Sequence, residues 1–116
     1  MRLAAALIAA LVLAPAAGAK EGIHATLTKP LPAHASMGTK LVVTFTLRDR
    51  AGHPFNAQRV FVEISCPEKT DSSLAFATNV RTGRYRAVAT VPPGGLGAVR
   101  IGLRGTTDVY FPITNR

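Results

Sequence analysis

The feature that most constrains this chain is a two-residue alternation of apolar and polar side chains. It is clearest over residues 41–48, where Leu, Val, Phe and Leu alternate with Val, Thr, Thr and Arg. Successive side chains of a β-strand point to opposite faces of its sheet, so this pattern indicates a strand with one buried and one solvated face. Similar segments occur at 60–64, 85–91, 99–103 and 109–113, and weaker ones at 23–28 and 74–80. The sequence therefore predicts an all-β, antiparallel sandwich of about seven short strands.

The first 19 residues have the pattern of an export signal. Arg2 is followed by the apolar run 3–13, by Pro15, and by the small residues Ala17-Gly18-Ala19. The run is about half the roughly 20 residues that a membrane-spanning helix needs. We therefore predict a cleaved signal peptide over residues 1–19 and one domain over residues 20–116, with no stable membrane span and a periplasmic or secreted location.

The charge of the predicted exported chain is strongly basic. Arg2 is the only charged side chain before residue 20, so 13 of the 14 Lys and Arg remain against 6 Asp and Glu, a net charge of about +7. Such a protein can bind an acidic protein or an anionic envelope component, or the charge can simply solvate its surface.

Four arginines are the predicted partner-binding residues. If the turn at 92–95 closes a hairpin, alternation places Arg84 and Arg86 on the same outer face as Arg100 and Arg104. Aromatic side chains that could stack nucleobases are missing from this face, so nucleic acid is not predicted as a partner. A protein or an anionic envelope component is the predicted partner, and a solvated face is the alternative.

Copper binding is the alternative function. His24, His34, Met37 and His53 supply imidazole and thioether groups, which suit copper better than hard cations. His34 and Met37 are close in sequence and could share an ion, although histidines in loops are often only solvated. The remaining soft side chain, Cys66, has no second cysteine to pair with and is predicted to be partly exposed.

No motif predicts catalysis. The acids, histidines and single cysteine are scattered, and no glycine-rich phosphate loop precedes a helix. The chain is therefore predicted not to be an enzyme and to need no cofactor.

Several short segments carry a resemblance to known folds. Gly83-Arg84-Tyr85 at the start of a strand resembles the tyrosine corner of immunoglobulin-like sandwiches, in which the phenol bonds to backbone a few residues upstream. A plain core tyrosine is the alternative. The whole layout resembles small exported bacterial domains of the YtkA-like and CopC-like kind, on residues 24–27 with 32–35, 48–55, and 83–87 with 91–92.

This resemblance implies an extracytoplasmic, immunoglobulin-like fold that is sometimes tied to copper handling or to assembly of membrane complexes. Together with the charge, it predicts an exported, non-catalytic binding or accessory module that docks a protein or envelope partner through a basic sheet face. The alternative is a periplasmic copper-binding protein.

Overall fold

A computed structural model describes residues 22–114 as nine β-strands, without a helix. The predicted signal peptide, its cleavage site and Lys20 lie outside these residues. The strands are β1 (His24–Leu27), β2 (Lys40–Arg48), β3 (Val60–Ser65), β4 (Ser72–Phe76), β5 (Thr78–Arg81), β6 (Arg84–Thr90), β7 (Ala98–Leu103), β8 (Val109–Phe111) and β9 (Ile113–Thr114). The predicted all-β class is confirmed, and each alternating segment is a strand or a pair of strands.

Two sheets form the layers of a β-sandwich. The five-stranded sheet has the order β5-β6-β2-β1-β9, and the four-stranded sheet has the order β4-β3-β7-β8. All pairs are antiparallel except β1 with β9, which is parallel. The core contains the inward side chains of both sheets, such as Val43, Phe45 and Leu47 from β2 and Val62 and Ile64 from β3, which are fully buried. Burial of each such side chain contributes about 1.5–3 kcal/mol.

Two of the predicted strands are each divided between the sheets. The segment 74–80 becomes β4 in the four-stranded sheet and β5 in the five-stranded sheet, with Ala77 at the crossing. The segment 109–113 is divided at Pro112, which has no N–H to donate to a ladder. The Pro112 carbonyl accepts a hydrogen bond from the Ala25 amide at 2.9 Å, and the chain then pairs with β1 as β9. Nine strands therefore replace the predicted seven.

The predicted hairpin between β6 and β7 is wrong. β6 pairs with β2 and β5, whereas β7 pairs with β3 and β8, so the turn at 92–95 crosses from one sheet to the other. Gly94 and Gly95 take φ values of 94° and 93°, in the left-handed region that favours glycine. The turn residues were recognisable from the sequence, but the strands that they join pair elsewhere.

Tyr85 does not form the predicted tyrosine corner. Its ring is buried and stacks on Phe45, with the ring centroids 5.6 Å apart. Its hydroxyl donates to the Ala57 carbonyl at 3.0 Å and accepts from the Ala57 amide at 2.7 Å. Ala57 lies 28 residues upstream, in the loop between β2 and β3. The phenol therefore anchors a distant loop and not the turn that precedes its own strand.

Candidate functional site

The outer face of the five-stranded sheet carries the largest group of uncompensated charges. On β2, Lys40 and Arg48 point away from the core, and on β6 Arg84 and Arg86 do so. Arg81 of β5 lies directly opposite Arg84. We call the outward side chains of these three strands the basic face.

The arginines of the basic face are concentrated at one end. Arg84 is opposite Thr46, and Arg86 is opposite Thr44 on one side and Thr78 on the other. Thr46 is only 8% exposed although it points outward, and its cross-strand neighbours are Arg84 on β6 and Thr26 on β1. At this end, arginines therefore alternate with threonines on neighbouring strands.

Between Lys40 and the arginines, the basic face carries an exposed apolar pair. Val42 and Val88 lie directly opposite each other and are 49% and 41% exposed. Beyond the arginines, on β1 and β9, hydroxyl groups continue the surface: Thr26 and Thr114 are hydrogen-bonded at 3.2 Å, and Thr28 is hydrogen-bonded to Thr44. The outer surface of this sheet therefore combines cations, hydroxyls and one exposed apolar pair.

Carboxylates are missing from the strands of this sheet within residues 22–114. The five acidic residues of that range lie in loops or on the four-stranded side, and they are Asp49, Glu63, Glu68, Asp71 and Asp108. The ion pairs of the described chain join Asp49 to His53, Glu63 to Arg100 and Asp108 to Arg104. None of them includes Lys40, Arg81, Arg84 or Arg86, so no ion pair within residues 22–114 compensates the positive charge of these four side chains.

The predicted four-arginine face is wrong, because its members lie on opposite outer faces of the sandwich. Arg84 and Arg86 belong to the five-stranded sheet, whereas Arg100 on β7 and Arg104, the residue after β7, lie over the four-stranded sheet. Side-chain parity correctly predicted that all four point outward. The alternation of side chains along a strand does not indicate which sheet the strand joins. The crossover at 92–95 places the two pairs of arginines on different sheets.

Arg100 and Arg104 are also neutralised. Arg100 donates to Glu63 at 2.7 Å and lies over the Tyr110 ring, 3.9 Å from its centroid. Arg104 makes two hydrogen bonds with Asp108, at 3.1 and 3.2 Å. Burial and the neighbouring Glu63 carboxylate raise the pKa of Tyr110. These two arginines therefore belong to a self-contained network.

An outward aromatic cluster on the four-stranded sheet was not predicted. Phe61 points away from the core but is fully buried, because Phe76 and Tyr110 meet it edge-on and Arg104 lies over its ring. Gly102 lies opposite both Phe61 and Tyr110 and leaves room for their rings. The sequence could have indicated this cluster, because three different strands each carry an aromatic side chain at an outward position of the alternation.

The predicted copper ligands are not brought together. His34 and Met37 precede the first residue of β2, whereas His24 lies opposite its last residue, Arg48. β2 has nine residues, so its ends are about 26 Å apart. His53 lies near the His24 end, exposed beside Asp49. Across residues 22–114, no group of three His, Cys, Asp or Glu side chains could hold a metal ion.

Cys66 is buried, contrary to the predicted partial exposure. Only 1% of the residue is exposed, because the turn at 92–95 packs over it: a Cβ placed on Gly94 would lie 2.9 Å from the Cys66 Cβ. Hydrogen bonds from the Thr70 hydroxyl and the Asp71 amide, both at 3.4 Å, lower the pKa of the thiol. The sequence could not show this, because the covering turn lies 28 residues downstream.

Native Cys66 is expected to react with iodoacetamide about 100-fold more slowly than the denatured chain at the same pH, because opening of the loop must precede reaction. The lowered pKa increases the fraction of Cys66 that is thiolate, but the turn at 92–95 still blocks access of the reagent to the sulfur. Mass spectrometry of timed samples measures both rates. Similar rates in the native and denatured states would contradict the burial.

Comparison with protein-family models, with curated proteins and with solved structures found no match for this chain. In residues 22–114, no helix is long and apolar enough to cross a membrane.

Proposed function

We propose that this protein is an exported, non-catalytic binding module that docks an acidic protein through the basic face. The observation that supports this is the separation of charge between the two sheets. Arg100 and Arg104 have carboxylate partners, whereas no ion pair within residues 22–114 includes Arg81, Arg84 or Arg86. Like charges that face each other across a sheet cost roughly 0.2–1 kcal/mol per pair. Carboxylates from a partner would offset that repulsion.

The chemistry of the face favours a protein as the partner. Guanidinium groups bind carboxylates through two parallel hydrogen bonds, and arginine is enriched in protein interfaces. The exposed pair Val42 and Val88 supplies apolar surface beside the arginines, and the threonines supply donors and acceptors. No large aromatic side chain projects from this face to enter a lipid layer.

We further infer that the sandwich is immunoglobulin-like and extracytoplasmic. The order β5-β6-β2-β1 opposite β4-β3-β7-β8 corresponds to D-E-B-A opposite C′-C-F-G in that fold. The tyrosine corner of such domains is at strand F, whereas Tyr85 is on β6, which corresponds to strand E. The export pattern over residues 1–19 and the resemblance to YtkA-like and CopC-like domains support the proposed location.

Two matched double variants test the docking face. R84Q/R86Q and R100Q/R104Q each remove two positive charges, one pair from each outer face. Poly-L-glutamate serves as a probe for an acidic protein surface, and its binding is measured by fluorescence anisotropy at 0.15 M salt. We expect R84Q/R86Q to weaken binding by about 2- to 30-fold, as two exposed charge pairs of 0.2–1 kcal/mol imply.

R100Q/R104Q is expected to bind nearly as the natural protein does. The two sheets lie about 10 Å apart, which exceeds the Debye length of about 8 Å at this salt concentration. If both variants bound poly-L-glutamate equally weakly, net charge alone would explain the binding, and the proposal would be overturned. Binding to phosphatidylglycerol vesicles without binding to poly-L-glutamate would also overturn it, in favour of a lipid surface.

A further inference from the structure

A second, polar site lies at the edge of the sandwich where the chain crosses from β4 to β5. It is an open groove of about 490 Å³. Its polar lining consists of Asn56, Gln58, Arg59, Asn79 and Tyr85, and Ala57, Val60 and Ala77 complete its walls. We call it the amide groove. Its volume falls within the roughly 300–1,000 Å³ of small-molecule sites.

Two side-chain amides in the groove are held in fixed orientations. The Nδ2 group of Asn79 donates to the Arg81 and Arg84 carbonyls at 2.8 and 3.1 Å, which leaves its Oδ1 free to accept. The Oδ1 atom of Asn56 accepts from the Gly83 amide at 2.7 Å, which leaves the Asn56 Nδ2 group free to donate. Asn56 therefore has a free donor and Asn79 a free acceptor, and both residues line the same groove.

The backbone beneath these amides is also fixed. The Tyr85 hydroxyl satisfies both the amide and the carbonyl of Ala57. The Arg59 carbonyl accepts from the Arg104 amide at 3.0 Å, and the Val60 carbonyl accepts from the Ala77 amide at 2.8 Å. The groove is thus organised before any ligand arrives, which reduces the entropy lost on binding.

Arg59 occupies an unfavourable backbone conformation in this groove. Its φ is +61°, in the left-handed region that a residue with a Cβ rarely adopts. Residues kept in such conformations are concentrated at binding sites, where the surrounding structure holds them. Arg59 is exposed, and no ion pair of residues 22–114 includes it. A charged side chain therefore occupies a position where glycine would be unstrained.

We propose that the amide groove binds a hydroxylated carboxylate of monosaccharide size, of the uronic acid type. The guanidinium of Arg59 matches the geometry of a carboxylate, and the groove lining contains no acidic residue that would compete for it. The free Nδ2 of Asn56, the free Oδ1 of Asn79 and the amide of Gln58 match hydroxyl groups, which both donate and accept. This site is separate from the basic face, and its function does not depend on docking there.

Titration with glucuronate, glucose and acetate, followed by backbone amide shifts in NMR spectra, tests the proposal. Glucuronate is expected to shift the amides of residues 56–59 and 79 in a saturable way. Glucose lacks the carboxylate and acetate lacks the hydroxyls, so each is expected to bind at least about tenfold more weakly. Equal affinity for acetate and glucuronate would show that the groove does not recognise the hydroxyl groups. The absence of saturable shifts with glucuronate would show that the groove is not a binding site for this class of ligand.

Two glycine substitutions separate binding from folding. Arg59→Gly removes the guanidinium and relieves the strained φ, so its melting temperature is expected to stay equal or rise while glucuronate affinity falls about tenfold or more. Lys69→Gly is the matched control, because Lys69 has nearly the same φ of 62°, lies in a loop outside the groove and loses the same charge. Unchanged glucuronate affinity in Arg59→Gly, or the same loss in Lys69→Gly, would overturn the role of Arg59.

Discussion

Gly102→Ala is expected to lower the free energy of unfolding by about 2–3 kcal/mol, the upper part of the range for overpacked sites. A Cβ at this position would lie 2.5 Å from the Val109 carbonyl oxygen and 3.1 Å from the rings of Phe61 and Tyr110. The carbonyl belongs to the β7–β8 ladder, so relief of the contact requires the backbone to move and not only a side chain. Urea unfolding followed by circular dichroism measures the change.

Gly105→Ala is the matched control for this prediction. A Cβ on Gly105 would meet only the Thr107 carbonyl oxygen, at an ordinary 3.6 Å. The substitution is expected to leave stability unchanged or to raise it by about 0.4–1 kcal/mol, because alanine restricts the unfolded chain. A Gly102→Ala protein as stable as the Gly105→Ala protein would show that the close approach of β7, β8 and Phe61 is wrong.

Tyr85→Phe is expected to lower the free energy of unfolding by about 1–3 kcal/mol. The substitution keeps the ring that stacks on Phe45 but removes the only partner that the structure gives to both polar backbone groups of Ala57. Both bonds are partly buried, and polar groups left without partners away from bulk water cost more than the net energy of the bonds that are lost. Thermal and urea unfolding measure the effect. Increased hydrogen exchange at the Ala57 amide would locate it in the loop between β2 and β3.

Tyr110→Phe is the corresponding control, because it removes a hydroxyl whose hydrogen bond, to the Glu63 carboxylate at 3.2 Å, is exposed to solvent. Its cost is expected to be below about 1 kcal/mol, since water can replace the lost partner. If Tyr85→Phe were no more destabilising than Tyr110→Phe, the phenol would not hold the loop in place. The preorganisation of the amide groove would then lack its main support.

The two outer faces differ in how their charge is arranged, and this decides which arginines are available to a partner. On the four-stranded sheet, Arg100 and Arg104 already satisfy Glu63 and Asp108 and cover the aromatic cluster. Recruitment of either one by a partner would leave a carboxylate unpaired. On the basic face, Arg84 and Arg86 have no such partner to lose. The presence of outward arginines on both faces therefore does not mean equal capacity to bind.

The amino-acid sequence by itself determined the class of fold, the approximate strand positions and the side of each strand that faces the core. β2 and β6 alternate strictly, so burial of Phe45, Tyr85 and Ala87 requires Arg84 and Arg86 to point outward in any pairing. These are local properties, because side-chain period and turn chemistry depend only on near neighbours.

Only the tertiary structure decided which strands share a sheet. Pairing depends on contacts between segments far apart in the chain, and neither a two-residue period nor a good turn distinguishes a hairpin from a crossover between sheets. The turn at 92–95 separates Arg84 from Arg100, and the crossings at Ala77 and Pro112 divide two apparently continuous strands. The same long-range pairing places the turn at 92–95 over Cys66 and His24 far from Met37. It also brings Arg59 and Asn79 together in the amide groove.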